Sequence, residues 1–445
     1  MAGHSTRCID EAWHGRLDAF SYLGDLYAYL TPEEAVLGQL RRQFESSGRT
    51  APIVLRPPHT YQPMFARDLP KLRELRADIA AHESDEQVRM LYLARIDELL
   101  ANARLWLAAD AGDAAEFERQ NDYLYGMPDA AAYAATVAWL REFAGVQLAH
   151  AEASVRTAAT ALLVCLPPSS APANGLFPDE DLYHRVSLLH RDYRDMLFAG
   201  AALPAGGWIT AAQGDAIVAQ VLRNIAVPYT IADATDGFWG VRHSVQQLLR
   251  PVDYRMEVRD FIGLVCHEVG SHLLERAGGL RSPLRLAATG LARFEQTNEG
   301  RAYLREQIAL GSLSLVQEHY GWQLCTLHHL LVSVATGLPG KRYMFAEVHQ
   351  LAYAVSLLWA SLRQPDRERA EAVAAEQAWI STTRILKGTD GTGGAYRKDM
   401  VYLEGNIRCW QLAAQDPAII LLGDKAKWNI ADETQHLQLA ALGVL

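Results

Sequence analysis

Residues Val265 to Gly300 read VCHEVGSHLLERAGGLRSPLRLAATGLARFEQTNEG, and the rest of the chain is organised around them. The stretch holds His267-Glu268-Val269-Gly270-Ser271-His272, an HExxxH arrangement, and later Thr297-Asn298-Glu299-Gly300. The apolar lead-in Phe261–Cys266 and the following Leu273-Leu274 describe a buried helix. Polar side chains in such a helix cost free energy unless they are partnered. Two neutral imidazoles and a downstream carboxylate are ordinary zinc ligands, and a catalytic zinc keeps one position open for water. The ion lowers the pKa of that water towards about 7 and polarises a carbonyl. Glu268, beside the first histidine, is placed to take the water's proton and pass it to a leaving amine.

The spacing makes a structural demand. In the common HExxH motif the histidines stand at i and i+4, on one helix face. Here they stand at i and i+5, roughly 140° apart at about 100° per residue. A regular α-helix cannot turn both towards one ion. A π-bulge adds one residue to the turn and recurs at functional sites. Gly270-Ser271 is a place where the backbone can adapt at low cost. The sequence therefore predicts a widened turn between His267 and His272. Cys266 points about 100° away from His267 and is expected in the core rather than on a metal.

Three blocks carry a family resemblance. They are CHEVGSHLLERAGG (266–279) with FEQTNEGRAYLRE (294–306), the segment Arg384–Gly405, and the weaker match Leu124-Tyr125-Gly126-Met127-Pro128. In this order they resemble the HExxxH metallopeptidases that include the microtubule-associated tyrosine carboxypeptidases and the bacterial flavohaemoglobin expression-modulating QEGLP-motif proteins. The resemblance implies a zinc peptidase with His267, His272 and Glu299 as ligands and Glu268 as base and then acid. Glu299 is preferred to Glu295 because Glu-Gly is the family element, and Asn298 holds the other usual acidic position. Glu295 and Glu306 remain as partners for the histidines, a role carboxylates commonly fill. Arg301 stands where the family has leucine, Lys387 where it has arginine, and Arg397 where it has threonine. Dipeptidyl peptidase III also uses HExxxH, but its glutamate lies farther downstream and it lacks the Lys-Asp…Tyr-Leu block.

The segment Arg384–Gly405 is the second place where chemistry is expected. Arg384, Lys387, Arg397 and Lys398 fall within it, in a chain with net charge −10. A solvated basic loop is the plain reading. The functional one is a clamp for a substrate carboxylate, since arginine pairs with carboxylates bidentately and lysine offers a point charge. Arg384, Lys387 and Lys398 are the candidate substrate residues. Tyr402 is a candidate donor to the oxyanion of the tetrahedral intermediate. Lysine at 387 lacks the arginine fork, so the tyrosine preference of the family is not carried over.

With 445 residues, half of them apolar, the chain can bury a large core. The negative charge argues against a general nucleic-acid binder. The N-terminus has no apolar signal-peptide core, and no stretch of about 18 apolar residues suggests a membrane span. Five scattered cysteines suggest no disulfide framework, and a cytoplasmic setting is expected. Periodicity predicts helices over 11–48, with Pro32 at a helix start, and over 71–108, 113–124, 129–166, 181–197, 303–334 and 344–363. An extended Pro52–Pro70 is expected, with a loop at Pro167–Pro178. Short strands are predicted at Val227–Ile231 and Asp253–Val258. His190-Arg191-Asp192 lacks the glycine-rich loop and D-F-G of a kinase. Gly337–Arg342 lacks the first glycine and final Ser/Thr of a P-loop. His328-His329 are expected at the surface or in core hydrogen bonds.

The expectation is a mainly α (α+β) fold: a helical N-terminal region over 1–170, and a zincin-like catalytic region over 171–445 with a small sheet beside the HExxxH helix. The expected activity is removal of C-terminal residues from a peptide or protein tail, with a natural-product precursor peptide as one substrate type. A zinc endopeptidase or leader peptidase, or a non-catalytic zinc-containing regulatory protein, are the alternatives. An intact Glu268 argues against the last, because a structural zinc needs no base.

Overall fold

Aspartates start many of the helices. The carboxylates of Asp85, Asp113, Asp129, Asp179, Asp366 and Asp432 each accept from a backbone N–H in the first turn that follows, where no intrahelical acceptor exists. Gly112, Gly311 and Gly337 end helices in the left-handed conformation, which glycine adopts without a Cβ clash. A computed structural model describes residues 8–24, 26–168, 175–234, 239–242 and 245–445. The fold is mainly α with a minor β component, as the sequence predicts.

Several boundaries differ from expectation. Glu33 is the N-cap of the helix Glu34–Ser46, so Pro32 lies just before the helix rather than in its first turn. Pro70 lies inside the helix Gln62–His82. Proline removes one N–H there, and the carbonyl one turn back belongs to exposed Ala66, where water can serve it. The long alanine-rich run splits into Ala130–Gln147 and Ala153–Cys165. The span 303–334 divides into Glu295–Leu310, Leu313–Glu318 and Tyr320–Thr336, broken at Gly311 and at His319. Part of the expected 167–178 loop (169–174) lies outside the described residues.

The β structure is two small sheets. Trp208–Thr210 pairs antiparallel with Arg255–Glu257. Gln247–Arg250 lies between Thr230–Asp233, parallel to it, and Gly240–Arg242, antiparallel to it. Strand Arg255–Glu257 runs straight into the helix Val258–His267. Phe261, Val265, Val269 and Leu273 recur every four residues and are buried with Ile209, Val221 and Leu248. Each such burial is worth about 1.5–3 kcal/mol. Cys266 is buried in the same core.

Two larger cores cross the position 170. One gathers Leu23, Phe65 and Trp106 with Tyr183, Leu286 and Trp410. The other gathers Phe44, Trp139 and Leu162 with Trp322, Val355 and Leu403. The helical first part and the part carrying HExxxH thus share interiors. No helix among the described residues is long and apolar enough to cross a membrane.

Candidate metal centre

The helix entering the HExxxH stretch is regular through His267, becomes a π-helix over Glu268–Leu273, and returns to α over Leu274–Arg281. This is the widened turn that the i, i+5 spacing demands. Its polar groups are answered locally. Ser271 Oγ donates to Cys266 O (3.0 Å), and Gly270 O accepts from Tyr193 Oη (2.5 Å) and Arg305 Nη1 (2.6 Å). Gly270 does not have positive φ among the described residues. Its role is space: a Cβ there would lie 2.1 Å from Tyr193 Oη.

The third candidate ligand arrives on the helix Glu295–Leu310, which packs against the HExxxH helix. Glu299 Oε2 lies 3.7 Å from His267 Nε2 and 3.6 Å from His272 Nε2. The three ligand atoms fall within 4.8 Å of one another. Ligand atoms at about 2.0–2.1 Å from one tetrahedral zinc stand roughly 3.4 Å apart, so both Glu299 contacts are close to the spacing that such an ion sets. The ring orientations also fit. His267 Nδ1 donates to Glu306 Oε2 (2.9 Å), and His272 Nδ1 faces Glu275 Oε1 (3.4 Å). The Nε2 atoms are thereby turned towards Glu299, in the pattern that metal-bound histidines commonly show.

Electrostatics agrees with a cation site. Burial opposes charging of His272, but the charge of Glu299 and hydrogen bonds with Glu275 and Glu299 push its pKa up to about 9 in the metal-free chain. His267 is likewise driven upward, against burial, by hydrogen bonds to Glu299 and Glu306. Glu299 is held well below its ordinary value, again against burial, by the two histidines. Protons on these imidazoles occupy the role that a divalent ion would take. Glu268 makes no side-chain hydrogen bond or ion pair among the described residues.

Tyr402 stands on the helix Met400–Gln415, which crosses the Glu299 helix in backbone contact. A Cβ on Gly300 would lie 2.0 Å from the carbonyl carbon of Gly405. The glycine that follows Glu299 therefore sets how closely the tyrosine helix approaches. The Tyr402 ring lies 6.0 Å from that of Tyr303, which lies 4.8 Å from that of His267. Burial and then the Glu299 charge raise the Tyr402 pKa well above the usual phenol value, so it keeps the proton it would donate.

The basic residues of the 384–405 segment do not form one open cluster. Arg384 makes a two-pronged pair with Asp399 (2.8 and 2.6 Å) and lies over the Tyr27 ring. Burial opposes ionisation of Asp399, but the Arg384 charge and hydrogen bonds bring its pKa to about 2. Lys387 is fully buried, with Nζ 3.1 Å from the Tyr27 ring centre. Arg384 and Lys387 line a cavity of about 370 Å³ together with Tyr27, Arg41 and Glu376; none of His267, His272 and Glu299 lines it. Lys398 pairs with Glu295 (3.1 Å), one turn before Glu299. Arg397 is buried between Glu118 and Asp122. His328 and His329 bond Ser381 and Glu404 in the interior.

Of the two carboxylates expected as histidine partners, Glu306 meets His267, and Glu295 accepts from Lys398. Glu275 and Tyr303 were missed. Tyr303 could have been found, because Glu295, Glu299 and Tyr303 follow at four-residue intervals and share a face with Glu306. Compared with known proteins, the chain matches no family model, no curated protein and no solved structure.

Proposed function

We propose that the chain is a zinc-dependent peptidase that removes C-terminal residues from a peptide or protein tail. The observation that carries this reading is the convergence of His267, His272 and Glu299 across a π-turn that also carries Glu268. The resemblance of the HExxxH and Arg384–Gly405 blocks points the same way. Bound zinc would supply a Lewis acid that activates water and polarises the scissile carbonyl. Glu268 takes a proton from the water as its oxygen bonds to the carbonyl carbon. It then delivers that proton to the amide nitrogen as the C–N bond breaks, leaving an amine and a carboxylic acid, whose proton passes to the amine to give ammonium and carboxylate. Tyr402, held protonated, donates to the oxygen that gains negative charge.

A second reading has support from one observation. Arg384 is already committed to Asp399 and Lys398 to Glu295, so a substrate carboxylate would have to share or displace those partners. An endopeptidase needs no such anchor. The test is a set of short peptides offered with free and with amidated C-termini, products being read by mass spectrometry. A carboxypeptidase trims the free acids and spares the amides. Equal internal cleavage of both forms would move the assignment to an endopeptidase. Zinc bound without any cleavage favours a regulatory zinc protein.

A further inference from the structure

Behind His272 lies a buried charge network that the peptidase chemistry does not itself require. Glu275, one turn after His272, is 2% exposed and accepts from Asn298 Nδ2 and from Arg301 Nη2 (2.7 Å) while facing His272 Nδ1. A carboxylate so deeply buried is costly unless paired and hydrogen-bonded. Arg301, 1% exposed, supplies the opposite charge.

The other prong of the Arg301 guanidinium reaches Asp424. Arg305, one turn on, also bonds Asp424 (2.8 Å) and reaches the π-turn carbonyl of Gly270. The chain is shaped for this arrangement: a Cβ on Gly423 would lie 2.7 Å from Arg301 Nε. A planar fork can span two carboxylates at fixed positions, which a lysine point charge cannot.

The two histidines differ in how they are held. His267 has a 2.9 Å contact to Glu306, which also faces His319 (3.4 Å). The His272–Glu275 contact is longer at 3.4 Å, so the place of Glu275 is set by its other partners. We propose that Arg301 is a positioning residue for His272: through Glu275 it fixes the ring so that Nε2 faces Glu299. This rests on the reading of His267, His272 and Glu299 as metal ligands.

The test measures zinc affinity by chelator competition, and the absorption spectrum of the cobalt-loaded protein, for the full chain and its variants. Arg301→Leu is expected to weaken zinc binding by about 10–100-fold, the range seen when groups orienting metal ligands are lost, and to shift the cobalt bands. Glu275→Gln, which keeps the shape but removes the charge that Arg301 answers, is expected to do the same, and it decides the question if Arg301→Leu does not fold. Asp424→Asn removes the charge at the other prong, keeps a side-chain oxygen that can accept from Arg305, and leaves the Arg301–Glu275 pair, so its affinity should stay within about threefold of wild type, well short of that range. Wild-type affinity and spectrum in Glu275→Gln and in any folded Arg301→Leu overturn the proposal. So does an equal loss in Asp424→Asn, which would mean general loosening. A wild-type chain that binds no zinc overturns the metal assignment itself, and the proposal with it.

Discussion

At the residue scale, the proposed function gives the holding of a metal and the moving of a proton to different side chains. Glu268 is not among the three converging ligands, so Glu268→Gln should keep its zinc while peptide hydrolysis falls by about 10²–10⁴-fold, a usual cost of losing a general base. Equal zinc contents with unequal rates in a steady-state assay check this; loss of zinc in the variant would place Glu268 among the ligands instead. The candidate ligands shift one another's titration in the metal-free chain. His272 rises from 6.5 to about 9, so its contribution to stability is complete below pH 6.5 and is lost as the pH rises through about 9. Glu299 is depressed from 4.5, so its contribution is complete above that value and is lost on acidification. The pair therefore stabilises the metal-free chain most between about pH 4.5 and 6.5. Urea melts of chelator-stripped protein should show stability declining on both sides, with the alkaline decline reduced in His272→Ala. Because zinc must displace those protons, its apparent affinity should fall as the pH drops below about 9.

At the element scale, two helix contacts decide the geometry. Gly270 leaves room for Tyr193, whose hydroxyl holds the π-turn carbonyl. Gly270→Ala should cost about 1–3 kcal/mol by overpacking, read as a lower urea midpoint, together with weaker zinc binding. Unchanged zinc affinity would show that the turn does not depend on this contact. Gly300→Ala would push the Tyr402 helix outward, so hydrolysis should fall more than zinc content does. Much of this was legible in the sequence. The i, i+5 histidines alone demand the wide turn, and the turn is there at Glu268–Leu273. The reason for Gly270 was not legible, because Tyr193 comes from a helix 77 residues away. Glu275 was missed for the same cause: its partners Asn298 and Arg301 sit more than twenty positions on. The partner of Arg384 was closer to hand, since Asp399 lies in the same quoted segment and an arginine there seeks the nearest buried carboxylate.

At the scale of the whole molecule, the N-terminal part is tied to the site. Asp10 is fully buried and accepts from the backbone N–H groups of Arg285 and Leu286, just after the HExxxH helix, and from Tyr92 Oη. Removing a carboxylate that serves these three donors, those of Leu286 and Tyr92 buried, strands them, at about 1–3 kcal/mol for each buried one left unsatisfied. Asp10→Ala should therefore unfold at lower urea in one transition. Two separate transitions, with the second unchanged from wild type, would mean that the N-terminal part folds independently. The shared cores were hidden from a reading along the chain, because a change of composition near 170 marks a loop and does not reveal which helices later pack across it.

The most direct measurement is the zinc content of the purified chain, by elemental analysis, beside that of Glu299→Ala. About one zinc per chain is expected in the wild type, as for a three-ligand catalytic site, with most of it lost when Glu299 is removed. A wild type without zinc, or a Glu299→Ala variant that keeps its full content, contradicts the assignment of His267, His272 and Glu299 as the metal centre.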